Sequence, residues 1–139
     1  MQNYLNGALR NVWTILTAMV WLANGLWCKL LNGVPRHRSI VAEILGTEYA
    51  TPLTFTIGAL EVLMAIWIIS GIRPRLCTVL QIATIAIMNV LEYILVPDLL
   101  LFGRWNALFA ALFIMALACF EWTRPDVQTG FAHNTIRKP

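Results

Sequence analysis

Four long apolar stretches alternate with short polar ones along the chain, at about residues 11–31, 53–70, 76–96 and 99–122. A helix of 21 residues is about 31 Å long, and the hydrocarbon core of a bilayer is roughly 30 Å thick. None of the stretches alternates apolar with polar as a barrel strand does, so the pattern predicts helices. A helix also satisfies its own backbone where lipid offers no hydrogen-bond partner. The expected fold is an all-α membrane protein: a four-transmembrane-helix bundle over residues 1–122, then a polar C-terminal tail, 123–139. The first stretch reads as a span rather than a cleaved signal, being longer than an h-region and followed by no A-x-A site.

The breaks between spans are sharply marked. Gly71, Arg73, Pro74 and Arg75 make a tight turn, so the second and third spans are antiparallel neighbours. Pro97 ends the third span, and Asp98 is expected to cap the fourth. Between the first two spans, Ile40, Val41, Ile44 and Leu45 share a face, with Gly46 as a stop. An interfacial amphipathic helix after the first span fits this segment, with Arg36 and Arg38 at lipid phosphates; a plain loop is the alternative. With the N-terminus inside, the cytoplasmic side holds Arg10, Arg73, Arg75, Arg124, Arg137 and Lys138, against Lys29, Arg36, Arg38 and Arg104 outside. That excess predicts cytoplasmic termini.

Polar residues inside spans need a reason, because lipid penalises them. At about 100° per residue, positions eleven apart nearly superimpose. Gln81 and Glu92 therefore share a face of the third span, with Thr78 and Asn89 close to it. Thr54, Gly58, Glu61 and Ala65 form one small-and-polar stripe on the second span, and Thr17, Trp21, Asn24 and Cys28 another on the first. Small residues admit close helix approach and polar ones bond across it, so the stripes should meet. Folding the spans about their turns gathers Asn24, Asn89, Glu92, Arg104 and Asn106 toward the face carrying the first and third loops. Glu61 lies deeper, with no cation evident at its own depth.

Composition supports the membrane reading. Hydrophobic residues make up 59% and charged residues 12%, against about 45–50% and 25% in a soluble domain. The net charge is +3, but no basic stripe tracks a phosphate backbone, so nucleic acid is excluded as a partner. Cys28, Cys77 and Cys119 form no C-x-x-C, and neither His37, read as a surface residue, nor His133 has metal-ligand spacing, so no metal is expected. Of the six tryptophans, Trp27, Trp105 and Trp122 stand near span ends as interfacial anchors; Trp21 and Trp67 lie deeper.

Two readings of the polar cluster stay open. In one, Glu92 pairs with Arg104 while Asn24 and Asn89 tie helices together. In the other, the cluster lines a pocket for a lipid-soluble ligand, and the desolvated Glu61 is a candidate acid or base beside Glu92 and Arg104. A polar path for transport is a third use; four spans would then need to oligomerise, and no inverted repeat is evident.

Residues 21–46 (WLANGLWCKLLNGVPRHRSIVAEILG), 58–77 (GALEVLMAIWIISGIRPRLC) and 87–106 (IMNVLEYILVPDLLLFGRWN) resemble, in this order, the DoxX-like family of bacterial integral membrane proteins. The resemblance implies a four-helix membrane bundle in the bacterial inner membrane. It also implies an accessory subunit of a quinone- or thiol-linked redox system, with a membrane redox protein as partner and a quinone as candidate cofactor. A small membrane enzyme acting on a quinone or an isoprenoid- or sterol-like lipid is the alternative. Quinone-reducing vitamin K enzymes, which look similar, rely on a C-x-x-C that this chain lacks. Glu61, Asn89, Glu92, Asp98, Arg104 and Asn106 match recurring polar positions of the family, with no role attached.

Overall fold

The computed structural model describes residues 2–100, 102–103 and 105–123. Arg104 and nearly all of the polar tail lie outside them. The described residues are helical and contain no strand. Helix α1 runs Gln2–Leu22 and passes without a break into a π-helical segment, Ala23–Leu30. Then follow α2 (Arg36–Leu45), α3 (Thr47–Ser70), α4 (Pro74–Leu95), a 3₁₀ turn (Pro97–Leu99) and α5 (Trp105–Trp122). Three of these, α3, α4 and α5, are long and apolar enough to cross a membrane.

Several boundaries depart from the sequence pattern for local reasons. Helix α3 starts at Thr47 and runs through Pro52. Pro52 stands in the second turn, where its missing N–H leaves Glu48 O without its ladder bond but does not end the helix; the break falls instead at Gly46, whose φ of 98° ends α2. Asp98 does not cap the last helix. It sits in the 3₁₀ turn, and α5 begins only at Trp105. The turn between α3 and α4 has Gly71 (φ 65°) and Arg73 (φ 46°) in the left-handed region, with Pro74 opening α4. Trp67 Nε1 donates to Ile72 O across it at 2.7 Å.

Packing is organised by small residues. The buried side of α3 reads Ala50, Thr54, Gly58, Glu61, Ala65, one stripe at helical spacing. Against it lie α1, the π segment and α2, while α5 packs mainly on α4. Trp13 of α1 stacks on Phe120 of α5, with ring centroids 5.1 Å apart. The apolar core is small: Ala18, Trp21 and Ala65, flanked by Leu22, Met64, Ile68 and Ile85. Large apolar side chains instead cover the outside, among them Ile15, Met19, Phe55, Leu63, Ile66, Ile87 and Met115. So much greasy surface is unfavourable in water and is what a helix shows to lipid.

Candidate functional site

A close approach of two backbones accompanies a buried ion pair. Gly25 of the π segment faces Gly58 of α3. A Cβ on Gly25 would stand 2.6 Å from Gly58 O, and one on Gly58 would stand 2.9 Å from Gly25 O. Two glycines at the crossing therefore let the segments touch, as small residues do between membrane helices. At this crossing Lys29, beside Gly58, meets Glu61, beside Gly25. Lys29 Nζ donates to Glu61 Oε1 at 2.8 Å and to Oε2 at 2.7 Å, and both side chains are more than nine-tenths buried.

This corrects the expectation that Glu61 has no cation at its depth. Lys29 counts as a loop charge only if the first helix stays α-helical. In an α-helix a residue eight positions past Trp21 lies about 80° round the axis from it. The π segment spreads its hydrogen bonds over five residues and winds less per residue. Its inward positions are Gly25 and Lys29, continuing Thr17 and Trp21 at a spacing of four. Asn24 and Cys28, which α spacing would place inward, are only half-buried.

Beside the ion pair a cavity of about 430 Å³ opens toward the end that carries the first and third loops. Asn24, Glu61, Asn89, Glu92 and Asn106 all line it, so the fold brings together these five of the six residues of the expected cluster. Arg104, the sixth, falls outside the described residues. The amides are partly engaged. Asn24 Nδ2 donates to Val20 O at 3.0 Å and Asn89 Nδ2 to Ile85 O at 2.9 Å. Asn106 Nδ2 donates to Asn89 Oδ1 at 3.3 Å, joining α5 to α4. Each amide keeps a second N–H, and Lys29 a third. Trp21, Ile85, Met88, Phe109 and Phe113 supply apolar walls.

Sequence reasoning missed two further contributors, Arg36 and His37. His37 is half-buried rather than on the surface, because α2 packs along α3 and closes over the cavity. Burial, then Lys29, then Arg36 push its pKa down to about 4, so the imidazole is neutral at pH 7. The signal that could have found it is its position between two arginines at the start of a helix whose apolar face must dock. Among the described residues no group of three or more His, Cys, Asp and Glu side chains could hold a metal ion.

Deeper in, Trp21 Nε1 donates to Gln81 Oε1 at 2.9 Å. This bond separates the cavity from a larger one, of about 1070 Å³, toward the other end of the helices. Cys77 is buried near Met64, Cys119 is exposed, and all three cysteines are free.

Comparison with curated proteins returns no match, and comparison with solved structures returns none either. The model of the DoxX-like family matches residues 18–119, from the last five residues of α1 to Cys119, near the end of α5. With helices apolar enough to span lipid and a family match over most of its length, the chain is a membrane protein that belongs to the DoxX-like family.

Proposed function

We propose that this protein is an accessory subunit of a bacterial inner-membrane redox system and holds the head of a quinone in the cavity beside Lys29 and Glu61. In this reading α1 with its π segment is a fourth span, residues 1–122 form one four-helix domain, and α2 lies in the headgroup plane with both termini cytoplasmic. The observation that carries the proposal is the cavity itself. Spare N–H groups of Asn24, Asn89, Asn106 and Lys29 line it beside aromatic and aliphatic walls. Quinone carbonyls need donors and the ring needs an apolar slot, so the residues present fit the group. The quinone would supply two-electron redox chemistry, and a partner protein would exchange the electrons. This chain's share is to bind and orient the head.

The rival reading, a membrane enzyme with Glu61 as acid or base, draws less support. Both Glu61 oxygens accept from one ammonium, which holds the carboxylate in place as a structural ion. The test is a titration of the purified chain in lipid nanodiscs with a short-chain benzoquinone. Saturable binding is expected, weakened about tenfold by Asn89→Leu, the size of effect that one lost hydrogen bond to a buried polar head produces. Absence of saturable binding in the wild type overturns the proposal. Turnover of the quinone by the isolated chain moves the function to the enzyme reading.

A further inference from the structure

The cavity beside the ion pair offers hydrogen-bond acceptors as well as donors. Glu92 of α4 lines it and is half-buried, yet among the described residues its carboxyl oxygens meet no hydrogen-bond donor and no ion-pair partner. Lys29 is committed elsewhere, bonded to both oxygens of Glu61. His37 of α2, neutral at pH 7, keeps one ring nitrogen as a further acceptor at the same cavity. Asn89 and Glu92 stand one turn apart on α4, about 4.5 Å along the axis, so a single small head reaches both. Resting on the quinone reading above, we propose that this cavity holds the quinol more tightly than the quinone, with Glu92 as the acceptor that tells the two apart.

The two redox forms differ in what they need. Each oxygen of a quinone is a carbonyl and only accepts; each oxygen of a quinol is a hydroxyl that donates one proton and still accepts. Spare N–H groups of Asn24, Asn89 and Lys29 therefore serve either form. An acceptor beside them serves only the quinol. With the quinone bound, the Glu92 oxygens face carbonyl lone pairs with no donor between them, the cost that any shielded, unpaired polar group carries. With the quinol bound, one hydroxyl turns its proton to Glu92, and an O–H bond to a carboxylate is among the shorter and stronger hydrogen bonds. Lys29 and Arg36 share the cavity and offset the negative charge there. The apolar walls make no such distinction, because the two heads have nearly the same shape. A tighter hold on the quinol also raises the midpoint potential of the bound couple above that of the couple free in lipid, by about 30 mV for each factor of ten between the two affinities.

The test compares decylubiquinone with decylubiquinol, each titrated without oxygen into the full chain in lipid nanodiscs; their fully substituted ring does not add to the free cysteines. The quinol is expected to bind about tenfold more tightly, the effect of one extra hydrogen bond to a buried polar head. Spectroelectrochemical titration of the bound couple should show the matching rise of about 30 mV. Glu92→Leu should bring the ratio of the two affinities to about one and abolish the rise. Glu92→Gln, which keeps one acceptor oxygen and loses the charge, should give an intermediate ratio. Asn89→Leu removes a donor that both forms use, so it should weaken both while the quinol stays the tighter ligand. Circular dichroism checks the fold of each variant, and the wild-type ratio with Glu92→Gln decides the matter even if Glu92→Leu does not fold. Equal affinity of the two forms in the wild type, a tighter quinone, or a preference undiminished by either Glu92 variant overturns the proposal and leaves the quinone site standing. Saturable binding of neither form removes the quinone site itself, and the preference with it.

Discussion

At one end of the molecule the helices touch; at the other they part. Around Gly25 and Gly58 the backbones come within contact distance, and the charges there, Lys29 and Glu61, are buried and paired. Around the α3–α4 turn, Arg10 and Arg73 stand at an opening of about 1070 Å³ that Glu121 also lines. Both ends carry basic residues among apolar helices. A cation can be tolerated there in two ways: matched to an anion in the same chain, or left at a mouth that water and lipid heads can reach. The first arrangement makes structure and leaves a smaller cavity, of about 430 Å³, beside it. The second leaves a wider one, open at its mouth.

The comparison breaks most visibly if the tight end is not held by its ion pair. Lys29→Met should lower stability by about 3–5 kcal/mol, because a buried carboxylate loses its counter-ion. Thermal unfolding in mild detergent measures it. Lys29→Met/Glu61→Met should recover most of that loss, since two apolar side chains of similar size remove both charges. A single variant as stable as wild type would remove the distinction between the ends.

The next largest effect separates crowded from open glycines. Gly58→Ala puts a Cβ 2.9 Å from Gly25 O and from Lys29 Cβ, and should destabilise by about 1–3 kcal/mol. Gly7→Ala, where nothing lies within 4 Å, should instead be neutral or stabilise by up to about 1 kcal/mol. The opposite signs, read from the same melting curves, sharpen the contrast between a crossing and a free helix face. Gln81→Leu strips the acceptor from the buried Trp21 indole at the boundary of the two ends and should cost about 1–2 kcal/mol. A blue-shifted tryptophan emission would accompany the loss.

The smallest effect is a pH dependence confined to the tight end. His37 has its pKa lowered to about 4 from an ordinary 6.5. Between those values the unfolded chain binds the proton and the folded chain does not, so stability falls as pH drops from about 6.5 to 4 and levels off below. His37→Asn should flatten that part of a melting-temperature profile, while variants at Arg10 or Arg73 should leave it unchanged.

How much of this was legible in the sequence depended on whether ordinary α winding held. On α3 it did. Thr54, Gly58, Glu61 and Ala65 share a stripe by simple periodicity, and all four are buried on one side. Gln81 and Thr78 likewise face inward from α4. Past Leu22 it did not hold: the backbone changes its hydrogen-bonding step there, and no residue type announces a π segment. Lys29, whose position one turn from a span end suits a loop charge, was therefore invisible as the partner of Glu61. His37 was missed for a different reason: docking α2 on α3 is a tertiary event, and composition suggested an arginine-flanked surface. The cluster of Asn24, Asn89, Glu92 and Asn106 could be placed at one end by counting depth alone, because helical rise is insensitive to how each side chain turns.

The π segment has a consequence for how this helix accommodates length. A wide turn of this kind stores one residue more than the same path would need in an α-helix. Removing Asn24 would shift Gly25 and Lys29 to positions 24 and 28, which in α winding continue the Thr17–Trp21 side of the helix. The glycine would still meet Gly58 and the ammonium would still find its acid. Shortening by one residue, ruinous in the middle of most packed helices, is thus a change this segment can absorb.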